Sequence, residues 1–103
     1  MRNKSAKLLA AAFLLAGAVT TSNIEVQAAQ WNVNNNGWWY QEDDGSYPTN
    51  TWKSINGKWY YFNKSGYMLT GWQEISGKWY YLNSDGTMAS NTWVGNYYLT
   101  ASG

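Results

Sequence analysis

The chain has 103 residues, a formal charge of +1, eight Trp, nine Tyr, no Cys and no His. That length accommodates one ordinary domain. The missing side chains exclude disulfides, Ser-His and Cys-His nucleophile pairs and thiolate or imidazole metal ligands, and the near-neutral charge excludes the basic footprint of a nucleic-acid binder.

The first segment differs from the rest. Arg2, Lys4 and Lys7 precede an apolar run from Leu8 to Val19, and Val26-Gln27-Ala28 places small residues three before and one before a cut. This layout predicts a helical secretory signal peptide over residues 1–28, removed on export. The apolar run is well short of the roughly 20 residues that a membrane-spanning helix needs, so no membrane association is expected after cleavage. Residues 29–103 carry four lysines against five carboxylates, a net charge of −1. Small exported domains often depend on disulfides; here dense aromatic packing is the abundant alternative.

From Trp31 onward the sequence repeats. Trp38, Trp59 and Trp79 align, and Gly45, Gly66 and Gly86 follow each of them by seven positions. A second series, Trp52, Trp72 and Trp93, follows 14, 13 and 14 residues after the first, because Asn50-Thr51-Trp52 and Asn91-Thr92-Trp93 carry one residue more than Gly71-Trp72. Tyr97 to Gly103 matches Tyr80 to Gly86. The repeat defines a module over residues 29–103, with units at about 31–51, 52–71 and 72–92 and a partial unit at 93–103.

Each unit reads as a β-hairpin. Trp59-Tyr60-Tyr61-Phe62 has strong strand propensity, Asn63-Lys64-Ser65-Gly66 is turn chemistry, and Tyr67-Met68-Leu69 is read as the returning strand. Strand alternation sends Trp59 and Tyr61 to one face and Tyr60 and Phe62 to the other. A lone hairpin is marginal in water, so the units must stack. The expected fold is all-β, a short solenoid of stacked β-hairpins. Tyr60, Phe62, Tyr80, Leu82 and Tyr97 are expected to be buried. Trp39 is read as packing, and Glu42-Asp43-Asp44 as a solvated turn.

The pattern Gly-Trp, five residues including a glycine, Trp-Tyr-Tyr, a turn to Gly, then Met resembles the choline-binding, or cell-wall-binding, repeat of Gram-positive bacteria and their phages. It is clearest from Gly71 to Tyr81. The resemblance covers about Trp31 to Gly103 and implies ligand sites between consecutive hairpins. Each would take two Trp from one unit, an aromatic from the next and a Met or Leu. Carried over by position, Trp52, Trp59, Met68 and Tyr81 form one site, and Trp72, Trp79, Met88 and Tyr98 a second. A third combines Trp31, Trp38, Tyr47 and Tyr61, although Trp31 follows no glycine and Tyr47 stands where other units have Met. The competing reading gives Trp52, Trp59, Trp72 and Trp79 only to inter-hairpin packing.

Catalysis has little material. Asp43 and Asp44 are neighbours that point apart on extended chain, and Glu42, Glu74 and Asp85 lie in separate turn-like segments, so a carboxylate pair flanking a cleft is not expected. The family's enzymes carry an amidase, lysozyme or other catalytic domain beside the repeats. The resemblance therefore implies a secreted, wall-associated, non-catalytic module, without cofactor, that binds choline or choline-bearing teichoic acid. Two other readings stand beside it: a glucan-binding module stacking sugars on the same rings, with Gln73, Asn63 and Asn83 as hydrogen-bonding candidates, or a truncated remnant of a longer wall-binding protein. The half-made last unit is also a possible homodimer contact.

Overall fold

The computed structural model describes residues 28–103. The expected signal peptide over residues 1–28 lies outside the described residues except for Ala28. Among the described residues, eight strands form four separate two-stranded antiparallel sheets. They are β1 (Gln30–Asn34) with β2 (Gly37–Gln41), β3 (Thr51–Ile55) with β4 (Lys58–Phe62), β5 (Gly71–Ile75) with β6 (Lys78–Leu82), and β7 (Thr92–Val94) with β8 (Tyr97–Leu99). The chain divides into two compact units at residues 48 and 49. The first hairpin lies in one unit and the other three in the second.

The hairpins close one turn earlier than the sequence reading places them. Asn56-Gly57 and Ser76-Gly77 are two-residue turns with φ of 53° and 80° in each. Both central residues are left-handed, as a type I′ turn requires, and this turn matches the right-handed twist of the strands it joins. The Trp59 strand therefore pairs backward with Thr51–Ile55 and not forward with Tyr67–Leu69. Forward pairing is reduced to isolated bridges, Phe62 with Met68 and Leu82 with Met88.

The segment taken for the turn is instead the connector to the next hairpin. Asn63 organises it: its Oδ1 accepts the Ser65 N–H at 2.9 Å and the Tyr67 N–H at 3.0 Å, while its carbonyl accepts the Gly66 N–H at 2.9 Å. The same carbonyl-to-glycine bond recurs at Glu42–Gly45, Asn83–Gly86 and Thr100–Gly103. In the acidic run Glu42-Asp43-Asp44, Asp44 caps Ser46 through its N–H at 2.9 Å and hydroxyl at 2.6 Å, which holds the exposed Asp44 carboxyl below the usual carboxylate range. That agrees with the solvated-turn reading.

Within the second unit the core is a short column. Ile55, Phe62, Leu82, Ala89 and Leu99 are buried, Phe62 and Leu82 completely, as expected for those two. Burying a side chain of that size stabilises the fold by about 1.5–3 kcal/mol. Backbone bonds add to the stacking: Met88 N–H, on the connector after the third hairpin, donates to the Trp59 carbonyl of the second at 2.8 Å. Asn50 and Asn91, the extra residues of the longer spacings, adopt φ of 52° and 53°, and Gly71 at 79° stands at the corresponding strand entry. The length difference is absorbed there, before each strand begins.

Two contacts between successive hairpins carry predictions. Gly86 has φ of 88°, and a Cβ there would collide with the Met68 thioether; Gly57 has φ of 80° and open space around it. Gly57→Ala should cost about 1 kcal/mol in urea unfolding through backbone strain, and Gly86→Ala about 2–3 kcal/mol. Equal losses would mean that Met68 yields freely. Tyr60 is raised above the usual tyrosine range, first by partial burial and then by the Asp85 carboxylate. A raised folded pKa means a contribution complete below about pH 10 and lost as the pH rises through the raised value. Urea midpoints measured from pH 8 upward should fall less steeply in Tyr60→Phe than in the parent chain, and parallel curves would remove this role.

Candidate binding site

The pairing register fixes which side chains share a face. Trp52 lies opposite Tyr61 and Ser54 opposite Trp59, so these four stand on one side of the second hairpin. In the third hairpin the same positions hold Trp72, Tyr81, Glu74 and Trp79, and in the fourth Trp93 and Tyr98. Side chains directly opposite on antiparallel strands sit close enough to pack. The rings accordingly meet edge to face: Trp52–Tyr61 at 5.1 Å, Trp72–Tyr81 at 5.2 Å and Trp93–Tyr98 at 5.3 Å between centroids.

A second ring comes from the next hairpin, and it is the first tyrosine of that hairpin's second strand. Trp52 meets Tyr80 at 4.9 Å with planes at 68°, and Trp72 meets Tyr97 at 5.5 Å with planes at 75°. Each of these indoles is thus held between a tyrosine of its own hairpin and one of its neighbour. Trp59 and Trp79, on the same faces, remain 47% and 58% exposed. Met88 is tied to the first group through its backbone. Its N–H holds the Trp59 carbonyl, and its sulfur and the Tyr80 ring edge both lie 2.8 Å from where a Cβ of Gly103 would stand.

The structure therefore composes the two groups differently from the sequence expectation. Trp52 and Trp59 do share a face, but the ring the neighbouring hairpin offers to Trp52 is Tyr80; Tyr81 packs on Trp72. Met68 packs toward Gly86, and the methionine tied to the Trp59 strand is Met88. Trp72 and Trp79 likewise share a face, the neighbouring ring is Tyr97, and Tyr98 packs on Trp93. Tyr97, expected to be buried, is 68% exposed, and Tyr60 and Tyr80, also expected to be buried, are half-buried. In the first unit Trp31 meets Trp38 at 6.5 Å and Tyr40 at 5.2 Å. Tyr47 is exposed on the loop beyond β2, and Tyr61 belongs to the second unit.

Tyr80 and Tyr97, which the sequence reading gives to the core, are the rings that the structure brings against Trp52 and Trp72, and the two-residue turn at Ser76-Gly77 is the sequence signal that places Tyr80. With such a turn at Ser76-Gly77, the strand Lys78–Leu82 sends Trp79 and Tyr81 to one face and Tyr80 and Leu82 to the other, and Tyr80 meets Trp52 of the preceding hairpin. Tyr40 packs on Trp31 as Tyr61 and Tyr81 pack on Trp52 and Trp72. The groups offer π faces and edges without ionised side chains in the rings themselves. Such faces hold diffuse cations or the flat sides of sugars. Among the described residues, no group of three or more His, Cys, Asp or Glu side chains could hold a metal ion.

Residues 49–93 match the choline-binding repeat. The solved choline-binding domain of Spr1274 from Streptococcus pneumoniae aligns over 71% of this chain and 88% of its own length, at 39% identity and a TM-score of 0.66. The chain belongs to the choline-binding repeat family. The multimodular cell wall endolysin of phage Cp-1, solved with choline, is 38% identical over 81% of this chain, with a TM-score of 0.66. This chain spans only 26% of that endolysin. Alternansucrase in complex with isomaltotriose also carries a similar segment, 36% identical over 61% of this chain and 5% of the enzyme, with a TM-score of 0.50. No curated protein sequence matches.

The inter-hairpin ring contact of this choline-binding repeat is open to a direct measurement. A double-mutant cycle on Trp52→Leu and Tyr80→Leu should return a coupling of about 0.5–1.5 kcal/mol in unfolding free energy. The same cycle with Tyr81→Leu should return a coupling near zero. The reverse order would reinstate Tyr81 as the closing ring.

Proposed function

We propose that the chain is a secreted, non-catalytic module that binds choline residues of bacterial cell-wall teichoic acid through aromatic groups formed between successive hairpins. The carrying observation is that Trp52–Tyr80 and Trp72–Tyr97 repeat one geometry between neighbouring hairpins while Trp59 and Trp79 stay exposed beside them. Trp52, Trp59, Tyr80 and Met88 form the first site, and Trp72, Trp79 and Tyr97 the second. Trp31 and Trp38 supply two rings of a further group. The choline in the similar endolysin supports the ligand, and the signal-peptide-like sequence of residues 1–28 supports the export.

A quaternary ammonium has no N–H to donate and spreads its charge over its methyl groups. It is held by π faces, each contributing roughly 0.5–2 kcal/mol. Three faces, set against the cost of association, leave affinity on the order of millimolar. Linked sites on a polymer with many choline groups raise avidity by about 10²–10⁴. Repetition of weak sites is thus the functional unit. Trp93 and Tyr98, both exposed on the fourth hairpin, support self-association there as a further partner contact.

The alternansucrase match favours a second reading, a module that stacks glucan rings on the same faces. Sugar binding usually adds side-chain hydrogen bonds. Here the candidates have local duties: Gln73 donates to the Thr70 carbonyl at 3.0 Å, Asn83 to the Thr87 hydroxyl at 3.1 Å, and Asn63 accepts within its own loop. Choline is therefore preferred. The protein should be retained on a choline or tertiary-amine resin, and its Trp fluorescence should titrate with choline at about millimolar concentration but not with isomaltotriose. Trp59→Ala should weaken the choline response at least about tenfold, on the scale of one desolvated π face. Elution by plain buffer, or a response to the sugar alone, would discard choline as the ligand.

A further inference from the structure

The two groups of the second unit are built from the same kinds of ring, and the Trp-bearing faces of their hairpins differ in one residue. Opposite Trp59 stands Ser54; opposite Trp79 stands Glu74. Directly opposed residues place their Cβ atoms about 4.5–5.5 Å apart. Glu74 also lies two positions from Trp72 along β5, on the side that carries Trp72, Trp79 and Tyr81. It is exposed, as are Trp72 and Trp79. The lysines of these hairpins do not offset it there: Lys78 pairs with Ile75, and Lys53 and Lys58 alternate to the opposite face of the second hairpin.

We propose that Glu74 makes the Trp72–Trp79–Tyr97 group a charge-assisted site, selective for ammonium ligands that carry an N–H, while the Trp52–Trp59–Tyr80 group with Ser54 takes quaternary ammonium by its π faces alone. The inference rests on the cation-binding reading above and adds a distinction between its sites. A protonated tertiary amine entering an aromatic group loses a water from its N–H, and unless an acceptor replaces that water the loss opposes binding. A carboxylate beside the rings is such an acceptor and adds a charge-assisted bond. Choline gains only the through-space attraction. At an exposed position that attraction is modest and is screened by salt.

The test reads the two sites separately through the indole N–H signals of Trp59 and Trp79 in a ¹⁵N-labelled sample of the full mature chain. Choline and protonated dimethylethanolamine are the probes, at low salt and at about 0.5 M salt, where screening is strong. For dimethylethanolamine at low salt, the Trp79 signal should titrate about three- to tenfold tighter than the Trp59 signal, the range expected of one exposed charge-assisted contact. Glu74→Gln should erase that difference and most of the salt dependence at Trp79 while leaving Trp59 unchanged. Ser54→Glu should transfer the preference to the Trp59 signal, a gain that damage to the fold does not produce. If Trp79 responds to choline yet neither substitution moves the amine preference, Glu74 has no such role and the choline reading stands. If neither indole responds to choline or to the amine, the cation-binding reading falls and this inference with it.

Discussion

The edge-to-face clasp on Trp52 and Trp72 is the contact on which the second unit depends. A two-stranded sheet buries too little to persist alone in water, and each hairpin here is its own two-stranded sheet. The neighbour must supply what the sheet lacks. It does so through a tyrosine placed against an indole at about the same distance and angle at two successive junctions, through the buried Phe62 and Leu82 beneath, and through the bond from Met88 to the Trp59 carbonyl. Ring pairs of this kind contribute about 0.5–1.5 kcal/mol beyond the area they bury. Repeated along the chain, that is a large share of the few kcal/mol by which a body of this size is stable.

The same clasp sets where a ligand can sit. Trp52 is held by Tyr61 and Tyr80, and the exposed Trp59 stands on the same face of its hairpin. The aromatic that closes the group is the aromatic that joins the hairpins. On the proposed function, binding and stacking are properties of one set of side chains, and neither the Trp series nor Tyr80 and Tyr97 can be replaced for one purpose without affecting the other. That explains why a chain without disulfides spends eight tryptophans and nine tyrosines on so few residues.

Much of this was legible in the sequence, and the strand pairing differs from that reading at one choice of turn. Trp59-Tyr60-Tyr61-Phe62 declared a strand, its alternation declared two faces, and the spacing of Trp and Gly declared the repeat; all three hold. The choice between two turns went the other way. Asn63-Lys64-Ser65-Gly66 and Asn56-Gly57 are both turn sequences, but a two-residue turn with both residues left-handed twists as the strands twist, whereas Asn63 satisfies its own loop and leaves little for a ladder. Choosing the longer turn kept the strand and its faces but exchanged the neighbours those faces meet. Strand alternation puts Tyr80 and Tyr97 in the core set, and Tyr81 and Tyr98 enter the expected sites by carry-over from the family pattern, whereas the structure sets Tyr80 and Tyr97 against the indoles of the preceding hairpins.

A ligand seated between hairpins binds the stacked form and not the separated strands, so its occupancy adds to stability by mass action, about 2.7 kcal/mol per site at a hundredfold excess over the dissociation constant. For a module this small that is comparable with its whole margin. Recognition and completion of the fold are then coupled: a polymer that offers many weakly held groups tightens the stack as it fills it. The repeats keep alike the residues that transmit this coupling, the Trp–Tyr clasps and the turn glycines, and vary at exposed neighbours such as Ser54 and Glu74, where a change alters what a site prefers without altering how the hairpins stack.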